Sequence, residues 1–277
     1  MITIKYSQDK IKFTPAKIIK KKKKKKQRIE VKTRVDNHLK PKELKIINIL
    51  FGDKYSKNGK LNYIYRDVKT ALERNSLSSN FHFVLGEHNR DFLLDNGVHK
   101  KKIFYIPYLP IDLRHRGSSL FSKTFLMNVA ADKLGDNVLF LDYDCSQIVE
   151  IYQKDLFSRL KEETIERDFL VPPVEYRNSH FCSIDGKRQN YGLQTCLIYW
   201  NNPEIIKFWY KTHLENTDLH SDSDEIAFLF AMEKKYGKLS INDLFDFDTS
   251  IIRTRRRPRS SFRFDAKNYE NACFKHR

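Results

Sequence analysis

Between residues 46 and 141, short apolar runs alternate with stretches whose apolar positions recur every three or four residues. The runs Ile46 to Phe51, Phe81 to Leu85, Lys102 to Ile106 and Val138 to Leu141 are rich in Ile, Val, Phe and Tyr, as strands buried on both faces are. Ile64, Val68, Ala71 and Leu72 line one side of a helix between them. Phe121, Phe125 and Val129, beside Leu126, Ala130 and Leu134, repeat at four-residue spacing in a second helix, which Gly135 ends as a C-terminal cap. This alternation predicts an α/β fold with a mixed, mostly parallel central sheet flanked by helices. After residue 190, Leu193 to Tyr199 reads as another strand. Asn202 and Pro203 form a helix start ahead of Ile205, Ile206, Phe208 and Trp209. Ser221 or Ser223 offers a cap for a helix over Asp224 to Tyr236, which Gly237 closes. Trp200 and Trp209 read as core at these spacings.

Charge changes the picture at the ends. The chain of 277 residues carries a net charge of +17, but residues 1–45 hold 17 Lys and Arg against 4 Asp and Glu, and residues 253–277 hold 9 against 2. The segment between is slightly acidic. Seven consecutive lysines, Lys20 to Lys26, repel one another too strongly to enter a core, so residues 1–43 read as a flexible basic tail ahead of a folded unit over 44–277. Such a run binds polyanions or an anionic membrane face without reading sequence, or serves only as a solubilising tail. Arg253, Arg255, Arg256, Arg257 and Arg259, followed by Phe262 and Phe264, form a second cluster that suits a phosphate groove or a solvated loop. An aromatic share of 13% excludes wholesale disorder.

No stretch reaches the roughly 18 uninterrupted apolar residues of a membrane span, and MITIKYSQDK bears charges where a signal peptide needs an apolar centre. A cytoplasmic protein is expected, with peripheral contact at a membrane surface open to the lysine run. Cys145, Cys182, Cys196 and Cys273 show no CxxC spacing and are read as reduced and structural.

The chemistry concentrates in Lys123 to Asp144, KTFLMNVAADKLGDNVLFLDYD, where an apolar strand ends in two carboxylates. Side chains alternate along a strand, so Asp142 and Asp144 are expected on one side and Tyr143 on the other, at the carboxyl end where open α/β sheets bind ligands. Two hard oxygen donors so placed suit Mg²⁺ or Mn²⁺. An ion there would bridge a diphosphate and offset the charge that grows as it leaves, which transfer from a nucleotide sugar requires.

SKTFLMNVAADKLGDNVLFLDYDC resembles glycosyltransferases of the nucleotide-diphospho-sugar type with the GT-A fold, and within them the inverting family of cellulose, hyaluronan and chondroitin synthases. The resemblance covers roughly residues 44 to 240 and is sharp only around the DxD. It implies a GT-A-like, Rossmann-type sheet. It implies that Asp142 contacts ribose or metal, Asp144 metal and diphosphate, and Lys123 and Asn128 the nucleotide side. Glu87, in VLGEHNRD, is the match for the family's base-reading acid, with Asp91 behind it. In HSDSDEIAFLF, Asp224 or Glu225 matches the acidic pair that supplies the general base, with Asp222 close behind. His276, in the final FKHR, matches a late histidine that acts as a third metal ligand. His180, His213 and His220 have no partner at metal spacing.

The expected function is thus a single-addition, metal-dependent glycosyltransferase moving a sugar from a UDP-sugar or related donor to a glycan, lipid or protein hydroxyl. A metal-dependent nuclease or phosphotransferase is the alternative. The absence of a lysine within a few residues of the acidic pair, and of a further acid nearby, speaks against it. A catalytically inert polyanion-binding module is the other alternative, and nucleic acid is not the expected partner.

Overall fold

The computed structural model describes residues 2–3, 43–55, 58–73, 80–110, 119–147, 156–158, 160–161, 168–171, 173–175, 191–193, 195–215, 224–237, 252–254 and 274–276. Lys20 to Lys26, most of the arginine cluster, Asp222, Ser221 and Ser223 lie outside them. Of the segment read as a tail, Ile2–Thr3 form a strand at the edge of the sheet.

A seven-stranded sheet organises the chain, in the order β1-β4-β3-β2-β5-β10-β7. Its members are β1 (Ile2–Thr3), β2 (Lys45–Leu50), β3 (Phe81–Leu85), β4 (Ile103–Ile106), β5 (Val138–Leu141), β7 (Phe169–Leu170) and β10 (Leu197–Trp200). Strands β1 to β5 run parallel to one another, and β10 runs antiparallel to both β5 and β7. The mixed, mostly parallel sheet expected from the sequence is what forms. Two small sheets accompany it: β8 (Pro173–Glu175) with β9 (Tyr191–Leu193), and β6 (Cys145–Gln147) with β12 (Phe274–His276) and β11 (Ile252–Thr254).

Alternation along each strand feeds two opposite faces. Ile47, Ile49, Phe83, Phe104, Ile106, Val138, Phe140, Ile198 and Trp200 meet α3 (Ser119–Leu134), α4 (Glu204–Glu215) and α5 (Asp224–Tyr236). On the reverse face, Leu50, Val84, Ile103 and Tyr105 meet α1 (Tyr63–Glu73) and α2 (Glu87–Asp95). Leu139, Leu141, Leu197 and Tyr199 meet Leu156 and Leu160. A sheet covered on both sides has no wet face, which is why its strands read as continuous apolar runs. Helix α3, covered by the sheet, α4 and α5, is buried over most of its circumference from Phe121 to Ala131.

The punctuation read from the sequence operates as expected at three helix ends. Gly135, at φ 72°, follows α3 and donates its N–H to Ala131 O at 3.0 Å. The side-chain oxygen of Asn202 accepts the Glu204 N–H at 3.1 Å at the start of α4. Gly237 closes α5 through its N–H to Glu233 O. Both tryptophans are fully buried core residues. Cys145 and Cys196 are buried and not joined in a disulfide. Among the described residues no helix is long and apolar enough to cross a membrane.

Two expectations change. The single strand expected over Leu193 to Tyr199 is split: β9 ends at Leu193 against Pro173, a turn carries Thr195 and Cys196, and β10 begins at Leu197. At the division Thr195 O is turned onto the Lys123 ammonium, while Cys196 O accepts the Asp142 N–H and so prolongs the β10–β5 pairing by one bond. Lys102 belongs to a 3₁₀ turn, Lys100–Lys102, and not to β4.

Phe83 is fully buried and stacked on Phe104 with ring centroids 4.5 Å apart. Phe83→Ala is expected to cost about 3–5 kcal/mol by the cavity it leaves, lowering the thermal midpoint by roughly 6–20 °C, as read by calorimetry.

Candidate active site

The carboxyl ends of β2, β3, β4 and β5 share one edge of the sheet, where parallel strands leave their last peptide groups without ladder partners. Chain leaving β5 there reverses at once. Asp142 N–H donates to Cys196 O at 2.8 Å, and Cys145 N–H closes on Asp142 O at 3.0 Å, so residues 142–145 form a β-turn and not a strand end. Asp142 and Tyr143 take opposite sides as expected, Asp142 toward Lys123 and Tyr143 into the reverse face, but within a turn and not along a strand. Asp142 and Asp144 are partly buried, with Tyr143 buried between them.

Two tethers hold this turn from below. The β2–β5 ladder ends at Ile47 and Phe140, and the side chain of Asn48 then takes over, donating from Nδ2 to Leu141 O at 2.7 Å while its Oδ1 accepts from Asn80 Nδ2 at 2.8 Å. Tyr143 reaches into the reverse face, its hydroxyl 2.9 Å from Nδ1 of buried His82. Neither Asn48 nor His82 carries a signal in the sequence, because polar residues within apolar runs find their partners only across strands.

Lys123 stands at the centre. It is 6% exposed, and four oxygens surround its ammonium: Asp142 Oδ2 at 3.2 Å, Asp224 Oδ2 at 3.0 Å, Thr195 O at 2.9 Å and Thr195 Oγ1 at 3.2 Å. The ring of Phe140 lies beneath, its centroid 5.1 Å away. Burial opposes the charged form, yet the carboxylates of Asp142 and Asp224, with Glu225 further off, outweigh it and raise the lysine pKa well above the usual range. Thus the ammonium that the resemblance assigns to the nucleotide side is turned inward, onto two carboxylates 82 residues apart in sequence.

Asp224 is the first residue of α5, 5% exposed, and Glu225 is the second. Asp224 Oδ2 accepts from both Lys123 and the Thr195 hydroxyl, and its backbone oxygen accepts from Trp209 Nε1 at 3.1 Å. Desolvation, then the charge of Asp224, push Glu225 up to about 7 against the opposing pull of Lys123 and a hydrogen bond from the Thr195 backbone. Asp142 is pushed up to about 6 by desolvation, which Lys123 counters, with the charges of Asp144 and Asp224 adding to the rise.

A divalent cation is testable against this donor set. Among the described residues no group of three His, Cys, Asp or Glu side chains stands at metal distance. Two carboxylates are enough for Mg²⁺ or Mn²⁺ when substrate phosphates complete the shell. The charge of Asp144 raises the proton affinity of Asp142, a repulsion that a cation between them would relieve. The residues fit. Strand β12 pairs antiparallel with β6, with His276 opposite Cys145, the residue after Asp144, in the register.

The remaining sequence candidates are more distant. Glu87 opens α2 at the same carboxyl edge, exposed, and pairs with Arg90 at 2.6 Å; Asp91 shares that arginine at 2.7 Å. Strand β2 separates β3, which leads to Glu87, from β5. Asn128 lies five residues beyond Lys123 on α3, about 140° around the helix, and is half-buried. His213 is buried between α3 and α4 with Nδ1 3.0 Å from Thr124 Oγ1. The acids and lysine that the sequence seemed to lack near the DYD segment are supplied by α3 and α5, so sequence distance no longer argues against phosphoryl chemistry. Thr195 was not anticipated at all.

No family model and no curated protein matches the chain. Solved structures similar to it include a 2-C-methyl-D-erythritol 4-phosphate cytidylyltransferase from Francisella tularensis, 17% identical over 68% of this chain and 85% of that one, with a TM-score of 0.38. A glycosyltransferase involved in glycosylation of the major capsid of PBCV-1 is 14% identical over 83% and 93%, TM-score 0.39. A UDP-glucose pyrophosphorylase complexed with UDP-glucose is 11% identical over 71% and 88%, TM-score 0.39. Likeness at this level says nothing of activity, and the side chains carry the functional reading.

Lys123→Met would leave Asp142 and Asp224 without their counter-charge, at a cost of about 3–5 kcal/mol. Loss of the ammonium, which holds Asp142 and Glu225 down, lifts these two further above their unfolded values, so the variant's stability is retained at low pH and lost as pH rises through the folded values. Urea unfolding should show a larger deficit against wild type at pH 8 than at pH 5.

Proposed function

We propose that this chain is a metal-dependent glycosyltransferase that moves a sugar from a nucleoside diphosphate, UDP foremost, to a hydroxyl of a glycan, lipid or protein, with inversion at the anomeric carbon. The observation that supports this most is that one nitrogen, Lys123 Nζ, touches both Asp142 in the acidic turn and Asp224 at the start of α5. Groups suited to holding a diphosphate and to taking a proton thus stand side by side. In this reading residues 44–277 form the catalytic unit.

Asp142 and Asp144 would hold Mn²⁺ or Mg²⁺, with His276 as the proposed third ligand. When bound, the ion supplies Lewis-acid stabilisation to the leaving diphosphate. Glu87 and Asn128 are the proposed contacts on the nucleotide side. Lys123 fixes Asp142 and lends positive charge to the same region. Of the two candidate bases, Glu225 is preferred. Asp224 Oδ2 already accepts from Lys123 and Thr195, whereas Glu225 has a pKa close to neutrality, where a general base works best. The acceptor hydroxyl gives its proton to Glu225 as its oxygen bonds to the anomeric carbon. The bond from that carbon to the phosphate oxygen breaks, and the electron pair leaves with the nucleoside diphosphate.

The contact between Lys123 and Asp142 also favours a second reading, nucleotidyl or phosphoryl transfer on the same carboxylates. Products separate the two: free UDP for the first, pyrophosphate or cleaved nucleic acid for the second.

UDP-sugars with Mn²⁺ should yield UDP, and chelator or Asp144→Ala should abolish the yield, as read by a UDP-release assay. Glu225→Gln should lower kcat by roughly 10²–10⁴-fold. Because the base acts deprotonated, log kcat should rise about one unit per pH unit below pH 7 and level off above it, the limb moving lower where a bound cation favours the carboxylate. A rate that falls as pH rises through 7 would contradict the assignment.

A further inference from the structure

Thr195 is 2% exposed in the turn between β9 and β10, and its polar groups face three charged residues between them. The hydroxyl donates to Asp224 Oδ2 and accepts from Lys123 Nζ at 3.2 Å. Its carbonyl accepts from the same ammonium at 2.9 Å. Its backbone N–H donates to the Glu225 carboxylate. Only a hydroxyl can donate to a carboxylate and accept from an ammonium at one atom, so the side chain suits this place in a way that neither an apolar nor a charged residue would.

The turn is anchored on its C-terminal side. Leu197 and the three residues after it pair with β5, and Cys196 O holds the Asp142 N–H. Thr195 is therefore fixed to the strand and turn that carry the acidic pair, while its hydroxyl and N–H reach across to the first turn of α5. Asp224 and Glu225 are adjacent like charges, and a glutamate left to itself has several rotamers to lose. A bond from a rigid peptide N–H occupies one carboxylate position of Glu225 and leaves its remaining acceptor sites for a substrate proton.

We propose that Thr195 is the positioning residue for the general base: through Asp224 and Glu225 it registers the start of α5 against the turn that carries Asp142 and Asp144, without touching substrate. The inference rests on the transferase reading of this site and deepens it. Its hydroxyl acts on the orientation of the acidic pair in α5, so its loss appears in the chemical step and not in donor binding.

The test compares wild type, Thr195→Val and Thr195→Ser in steady-state UDP release from UDP-glucose and UDP-N-acetylglucosamine with Mn²⁺, water serving as acceptor. Each variant is accompanied by a circular-dichroism melt. Thr195→Val is expected to lower kcat by about tenfold or more, with donor KM and Mn²⁺ requirement within about twofold of wild type. Thr195→Ser, which restores the hydroxyl, should recover most of the rate. In a Glu225→Gln background, Thr195→Val should have little further effect, since both act through one group. Thr195→Ala repeats the test if the valine variant melts below the assay temperature. An unchanged kcat in the valine variant, a loss confined to KM, or a serine variant as slow as valine would overturn the role while leaving the transferase reading in place. A wild type that releases no UDP from either donor overturns that reading, and this role with it.

Discussion

An ammonium group buried among oxygens is the constraint on which the carboxyl edge of this sheet depends. Taking Lys123 out of water costs several kcal/mol unless its three N–H donors meet acceptors and its charge meets opposite charge. Asp142, Asp224 and Thr195 meet both needs, and they arrive from three separate segments: the turn after β5, the start of α5 and the turn before β10. Displacing any one of the three would take an acceptor from the buried ammonium. The group is therefore a fixed relation between a turn that carries two carboxylates and a helix that begins with two more.

The sheet makes that relation possible. With both faces covered by apolar side chains, polar chemistry is confined to strand ends, and parallel strands bring several ends to one edge. Asn48 is the exception that supports the edge from within: its amide extends the β2–β5 ladder by one carbonyl, to Leu141, and so delivers Asp142 at a set height. Tyr143 fastens the same turn to His82 on the opposite face. The acidic turn is thereby held from β2, β3 and β10 at once.

The proton affinities follow from burial first and from crowding second. Desolvation raises both Asp142 and Glu225 above ordinary carboxylates, the neighbouring charges of Asp224 and, at Asp142, of Asp144 add to the rise, and the single Lys123 offsets it only in part. In the proposed reaction a divalent cation would relieve the repulsion at the acidic turn, and a substrate proton would do so at the helix.

Much of the fold was legible along the chain. Phe81 to Leu85 and Val138 to Leu141 coincide with strands because a strand buried on both faces must be apolar throughout, and Gly135, Asn202 and Gly237 mark helix ends because their backbone or side-chain chemistry suits those ends locally. Asp142, Asp144, Asp224 and Glu225 were visible as acids at element ends for the same local reason. Lys123 was visible only as a basic residue, and its inward turn was not, because the charges that draw it inward lie 19 and 101 residues away. Thr195 had no signal: its two faces are defined by a helix and a turn that local sequence does not place beside it. The chain by itself determined which segments become strands and helices and where acids stand, since those choices depend on neighbours within a few residues. Only the tertiary structure decided that the acids share one lysine and that a threonine joins them, because hydrogen bonds and charge pairs depend on distance in space.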